Sequence, residues 1–387
     1  MAALPEKATH RQTRTFNQQL ALRAIYDGGR ISRADVARLT GLTRTSVSAL
    51  VGDLMELGLV AEVGRGPSRG GKNPILLSIA TDGRHILGLD LGEDDFRGAV
   101  VNLRGEILAS HSTPLSGKDG RSALDLLLSL IDQLRRRATS PILGIGIGTP
   151  GVIDSRTGTV RWAVNLDWAD LPLGPLVADR FGLPTVVAND SQASALAELT
   201  FAGRQRPTNL VVVRVSRGIG AGIILDGRLF QGDGAGAGEI GHTIAVPDGE
   251  RCRCGSVGCL ETVASLGAMV RLAGQVAPEV RDEETLLRAA AGGDERVRNV
   301  VSDAGRLLGR GIGGLIGALN INRVILVGPA VALGELWLEA VRETACLSAL
   351  PLLARDTRIE LGNAQDDVVL GASALLMTHE LGLSLVR

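Results

Sequence analysis

The 387-residue sequence predicts an α/β protein in which an N-terminal winged helix-turn-helix precedes a two-lobed body. Three observations lead there. Between residues 15 and 80, helix caps and stops follow in the order of a short helix, a glycine turn and a longer helix. In the body, one strand–turn–strand–turn–strand pattern occurs twice. Three of the four cysteines fall within eight residues, which is metal spacing and not a disulfide framework.

Composition sets the frame. Hydrophobic residues make up 45% and charged residues 21%, as in a folded chain. Only 2% are aromatic, so the core must come from Leu, Val, Ile and Ala, and the 51 glycines suit tight hairpins and backbone-lined loops. Apolar runs such as 210–213 fall far short of the roughly 18 residues of a membrane span. The first thirty residues lack the apolar core of a signal peptide, so the expected compartment is the cytoplasm. Net charge is −1, yet residues 1–75 hold eleven Lys or Arg against six Asp or Glu, which is +5 and leaves −6 for the rest. A basic head on an acidic body is expected if only the head meets nucleic acid; an ordinary solvated basic face is the alternative on charge alone.

The head spans 12–80. Its first helix places Phe16, Leu20 and Ala24 four apart and stops at Gly28-Gly29. Ser32, with Asp35 three residues on, opens a short helix that ends at Gly41. Thr43 opens a third helix whose Val47, Leu50, Leu54 and Leu57 share one face. The polar first turn of that helix suits a major groove: Arg44 can fork onto guanine, and Thr43, Thr45, Ser46 and Ser48 can reach phosphates or base edges. Ser32 and Arg33 at the second helix are further DNA-contact candidates. Residues 61–80 read as strand, basic glycine-rich loop and strand, a wing in which Arg65, Arg69 and Lys72 can follow a phosphate backbone. A small protein-interaction module would not account for that wing.

The body falls into a first lobe, 84–205 completed by 371–387, and a second, 206–370, which holds the cysteine segment and the dimerisation helices. Residues 85–111 and 209–232 each read as three strands joined by tight turns, followed by helices and a buried strand, 143–148 in one half and 323–328 in the other. Two such halves describe the actin-like, sugar-kinase-type ATPase fold, in which two hairpin turns clamp nucleotide phosphates and a sugar lies between the lobes.

The motifs GTPGVIDSRTGTV (148–160), NDSQASALAE (189–198), GEIGH (238–242) and CRCGSVGCLE (252–261) resemble those of the ROK family of repressors, open reading frames and sugar kinases. The N-terminal winged helix resembles its repressor branch, and the likeness runs from about residue 12 nearly to the end. Cys252, Cys254 and Cys259, with His242 ten residues before, suit tetrahedral zinc, and four protein ligands make such a zinc structural. The family resemblance supports this ligand set, and the HxE and PCxxC signature of a zinc deaminase is absent. Cys346, alone in a helical stretch, reads as core.

The resemblance also implies a sugar grip of Gly151, Asn165, Asn189, Asp190, Glu239, His242 and Glu261. Asp190 stands at the general-base position of the kinases; alternatively Asn189-Asp190 only caps the following helix. The first phosphate turn departs from the kinase pattern: Glu93, Asp94 and Asp95 follow Asp90-Leu91-Gly92, and Pro329 follows Gly328 where a second glycine is usual. ATP binding is therefore not expected. The sequence reads as a sugar-responsive DNA-binding regulator, a repressor acting on an inverted-repeat operator as a homodimer or homotetramer, and not as an enzyme. An ATP-dependent sugar kinase with a DNA-binding arm, and a DNA-binding protein with a vestigial body, are the alternatives.

Overall fold

The computed structural model describes residues 10–67, 73–201, 207–362 and 365–383. Local caps build the head. Helix α1 (His10–Gly28) runs into Gly29 at φ +66°. Strand β1 (Ile31–Ser32) leads to α2 (Arg33–Thr40), where the Asp35 amide donates to Ser32 Oγ and Gly41 closes the helix at φ 70°. Helix α3 (Arg44–Glu56) starts at Thr43, which accepts from the Ser46 amide. Strands β2 (Val60–Arg65) and β3 (Ile75–Ile79) pair antiparallel, and β1 adds to β3 on its other side. The predicted winged helix-turn-helix is present.

Two faces differ from expectation. In α1 the buried residues are Ala21, Leu22, Ile25 and Tyr26, while Phe16 is 63% exposed, so the core face is rotated away from the Phe16–Leu20–Ala24 row. Leu57 lies one residue beyond the end of α3 and is exposed; Val51 takes its place in the core.

The first sheet of the body is formed by β4 (His85–Leu91), β5 (Asp95–Asn102) and β6 (Ile107–Pro114), then, after α4 (Gly120–Arg135), by β7 (Ile142–Thr149). A small sheet of β8 (Val152–Asp154), β9 (Thr159–Ala163) and β10 (Trp168–Leu171) follows, then α5 (Leu173–Phe181), β11 (Thr185–Asn189) and α6 (Asp190–Phe201). The second sheet repeats the plan with β12 (Leu210–Val215), β13 (Ile219–Leu225) and β14 (Arg228–Phe230). After the cysteine loop come α7 (Glu261–Ala264), α8 (Leu266–Val276), α9 (Glu283–Ala291) and α10 (Glu295–Leu319). Then β15 (Arg323–Val327), α11 (Glu335–Ser348), α12 (Pro351–Ala354), β16 (Arg358–Leu361) and α13 (Asp367–Leu381) complete the chain.

Strand orders are β6-β5-β4-β7-β11 and β14-β13-β12-β15-β16, the same plan twice, as the duplicated sequence pattern predicts. Helix α13 returns to the first sheet, and α6 packs both on α13 and on the second sheet. Small residues allow this: a Cβ on Gly371 would stand 1.7 Å from Ala193 O, and one on Gly222 would stand 2.4 Å from Ala195 Cβ.

The head is not on a free tether. Ala21, Leu22, Ile25 and Tyr26 of α1 share one core with Leu376, Met377 and Leu381 of α13 and with Ile86, Leu103 and Val186 of the first lobe. Arg104 reinforces this: it donates to Tyr26 O at 3.1 Å and its guanidinium carbon stands 4.3 Å from the centre of the same ring. Cys346, read as core from the sequence, is exposed on α11, whose buried side is carried by residues such as Val341 and Ala345 instead. Among the described residues, no helix is long and apolar enough to cross a membrane.

Candidate functional site

The two sheets face one another across a cleft of about 550 Å³. All seven residues of the implied sugar grip line it: Gly151, Asn165, Asn189 and Asp190 from the first lobe, and Glu239, His242 and Glu261 from the second. Gly151 is at φ +100°, where a Cβ would stand 2.2 Å from Trp162 O, so only glycine lets the backbone approach this closely. Its carbonyl accepts from Asn189 Nδ2 at 3.0 Å, while Asn189 Oδ1 accepts from the Ser191 and Gln192 amides. Asn189 thus caps α6 and braces Gly151 at once.

Asp190, the first residue of α6, accepts from the Ser191 amide at 2.7 Å through Oδ1 and turns Oδ2 to the cleft. The capping contacts of Asn189-Asp190 therefore leave both residues on the cleft wall. Glu239 and Glu261 enter from the other side. Burial, with Asp190 and Glu261 near, pushes the Glu239 carboxyl up to about 7. Glu261 accepts from the Ile219 amide at 3.3 Å.

The cysteine loop lies against this wall. His242, Cys252, Cys254 and Cys259 bring their ligand atoms within 4.8 Å of one another, and the cysteines are free thiols. Cys252 Sγ is 3.7 Å from His242 Nδ1, and Cys254 Sγ is 3.7 Å from Cys259 Sγ. A tetrahedron with metal–sulfur bonds of about 2.3 Å has edges of about 3.7 Å, so donors and spacing fit a tetrahedral ion. His242 turns Nδ1 to the thiols and Nε2 towards Glu239, 3.9 Å away, so a single imidazole serves both cluster and cleft.

Sequence reasoning missed the charge at the cleft floor. Arg214 of β12 is 11% exposed and reaches three carboxylates: Asp367 at the start of α13 at 3.2 Å, Asp190 at 3.5 Å and Asp90 at 3.6 Å. Its Nη1 also donates to Ser216 Oγ at 2.9 Å. Asp367, first residue of α13 and 3% exposed, also accepts from Ser194 Oγ at 2.6 Å. Burial opposes the Arg214 charge, yet Asp367, Asp90 and Asp190 together hold its affinity for protons above the usual arginine range. Burial pushes the Asp90 carboxyl up to about 7 against the pull of Arg214. The signal was a charged residue inside the apolar strand LVVVRV.

The acidic turn is also less bare than its sequence suggests. Glu93 pairs with Arg253 at 3.1 Å, Asp94 with Arg217 at 2.7 Å and Asp95 with Arg97 at 2.9 Å. Arg253, between two of the cysteines, also donates to Asn165 Oδ1 at 2.8 Å.

On the head, Thr43, Arg44, Thr45, Ser46 and Ser48 are exposed around the first turn of α3, and Arg65 is exposed at the end of β2. Arg69 and Lys72 lie outside the described residues. Ser32 is 5% exposed and spent on its cap, and Arg33 pairs with Glu62 at 3.0 Å. Both therefore hold the module together, and Ser32 offers nothing to a phosphate.

Residues 86–379 match the model of the ROK family, about three quarters of the chain, and residues 13–69 match that of the MarR family. The chain belongs to the ROK family. A xylose repressor of Caldicellulosiruptor bescii is 34% identical over 390 residues, spanning 96% of this chain and 98% of the relative. The crystal structure of a ROK family transcriptional regulator, a homolog of the E. coli MLC protein, matches 96% of this chain and 98% of its own, with TM-score 0.83 and 29% identity. A ROK family glucokinase from Streptomyces griseus, solved with glucose and AMPPNP, matches 75% of this chain and 98% of its own, with TM-score 0.69 and 28% identity. With its winged helix and these relatives, the chain is a sugar-responsive DNA-binding repressor of the ROK type.

Proposed function

We propose that a sugar bound between the lobes releases this repressor from its operator. The carrying observation is convergence: four grip residues from one lobe and three from the other line one cleft, so a ligand touching both sets favours one lobe angle. Vicinal hydroxyls suit this wall, since Asp190, Glu239 and Glu261 accept and the Asn165 amide donates. The head shares its core with the first lobe, so lobe rotation carries the winged helix with it. In a dimer joined through the second lobes, that rotation re-spaces two heads fitted to half-sites about 10 base pairs apart or a multiple of that. The dimer, or a tetramer of two, works in the cytoplasm on an inverted repeat.

We take the ion of the His242, Cys252, Cys254 and Cys259 cluster to be zinc. Bound there, it supplies structure: it fixes the loop between Glu239 and Glu261, and four protein donors leave no open position for water. The grip binds without phosphoryl transfer, and no nucleotide takes part.

D-xylose is the first probe because a near relative is a xylose repressor. At fixed salt, saturating D-xylose should weaken operator binding by about tenfold or more, within the usual 1–3 kcal/mol of allosteric coupling. Asp190→Ala should remove the response. If calorimetry shows sugar in the cleft while operator affinity stays unchanged, the proposal fails. Neutral pentoses, hexoses and their phosphates, run in the same assay, identify the effector if D-xylose does not bind.

A further inference from the structure

We propose that Arg214 is a built-in cation: its guanidinium takes the place, between the two hairpin turns, where a metal ion and its phosphoryl group would otherwise be held, and so makes this cleft select a sugar alone. The inference rests on the reading above that the cleft takes a sugar without a nucleotide.

The geometry is specific. Arg214 rises from β12, two residues before the second hairpin turn opens at Ser216, and Asp90 stands at the end of β4 where the first turn opens. The guanidinium spans that gap, with Asp90 and Ser216 each within 3.6 Å. Its remaining contacts are the first residues of α6 and α13, Asp190 and Asp367. Three carboxylates from three separate elements thus converge on one point, each on a different nitrogen of a planar fork. That is a ligand set for a hard divalent cation, filled by a side chain.

Two consequences follow for chemistry. The glucokinase relative was solved with both a sugar and a nucleotide analogue, so its type of cleft has room for both. In this chain a phosphate approaching between the turns meets a guanidinium whose Nε and both Nη groups are already directed at carboxylates or Ser216. Asp190 meanwhile directs Oδ2 at Arg214 and Oδ1 at Ser191, which leaves it able to accept a hydroxyl hydrogen bond but not free to move as a base. Arg217, Arg253 and Arg97 are likewise paired with Asp94, Glu93 and Asp95, so among the described residues no cleft arginine stands unpaired for a phosphate.

The test uses the zinc-loaded full chain and manganese as probe, read by electron paramagnetic resonance of free Mn²⁺ and by thermal melting. Wild type should take up no manganese in the cleft. Arg214→Ala should bind one ion per chain about tenfold or more tightly than wild type and melt higher in its presence, because three carboxylates then lack their cation. Arg214→Lys, which keeps the charge, should behave as wild type. A folded Arg214→Ala that binds manganese no better than wild type overturns the proposal, as does manganese in the wild-type cleft. If Arg214→Ala folds only with manganese, that supports it; if it does not fold even then, the claim that a metal can replace the guanidinium is wrong. None of these outcomes depends on the sugar. Sustained sugar-dependent ADP release by wild type would sink the sugar-only reading itself.

Discussion

Cys254→Ser should empty the metal site, loosen residues 242–261 and cost most of the sugar response, although Cys254 is not part of the sugar grip. The loop has no regular strand or helix: among the described residues its sheet pairing is two isolated bridges, Ile244 to Cys259 and Arg251 to Val257, beside turn hydrogen bonds such as Cys252 N to Ser256 O and Gly258 N to Glu250 O. Structural zinc supplies apparent binding free energies of about 10–16 kcal/mol in small zinc domains, well beyond what a few such bonds return. Three cleft groups depend on the loop. His242 belongs to the cluster, Glu261 follows Cys259 by two, and Arg253 carries Asn165 and Glu93 from between two ligands. Sugar affinity should fall about tenfold to a hundredfold, the usual cost of disturbing the shell around a fixed site. Operator affinity without sugar should hold, because no residue of 242–261 enters the core shared by head and first lobe. Elemental analysis, limited proteolysis of the loop and calorimetry with D-xylose check the three statements. Zinc missing from freshly purified wild type, or sugar affinity unmoved in Cys254→Ser, would refute the argument.

What could be read from the chain alone follows from how local each feature is. Ser32, Gly41 and Thr43 act within four residues of themselves, so the head was legible from caps and stops. The cysteines lie within eight residues of one another, and the duplicated hairpins each close over a few residues, so the cluster and the two lobes were legible too. Arg214 was not. Its partners lie 124, 24 and 153 positions away, and nothing in the strand LVVVRV says which carboxylates will surround it. The acidic turn shows the same limit from the other side: Glu93, Asp94 and Asp95 read as a barrier to phosphate until Arg253, Arg217 and Arg97 are placed on them. Bare charge counting therefore leaves out the three arginines that the fold brings to the turn. The fusion of the head to α13 was hidden too, because Leu376, Met377 and Leu381 look like any core helix until α1 lies across them.

Arg44→Ala should weaken operator binding by about tenfold to a hundredfold, since a bidentate base contact contributes roughly 1–3 kcal/mol of discrimination. The side chain is exposed at the first residue of α3, with Thr43 and Ser46 bonded to one another beside it, so the helix start is rigid and Arg44 projects from it. If Arg44 reads a base, the loss will be large on the true operator and small on random DNA of the same length. If it only meets phosphate, both will weaken alike and the slope of log affinity against log salt will drop by about one. Arg65→Ala, on the wing, is expected to follow the phosphate pattern. Ser32→Ala separates support from contact in the same series: its hydroxyl is buried and caps α2, so the change should cost about 1 kcal/mol of stability and leave the salt slope unmoved. A salt slope changed by Ser32→Ala would mean that the buried hydroxyl reaches DNA after all. A base-reading Arg44 would put operator choice in the first turn of α3, and on the proposed mechanism the core shared with α13 would let sugar in the cleft decide whether two such turns are presented at the right distance.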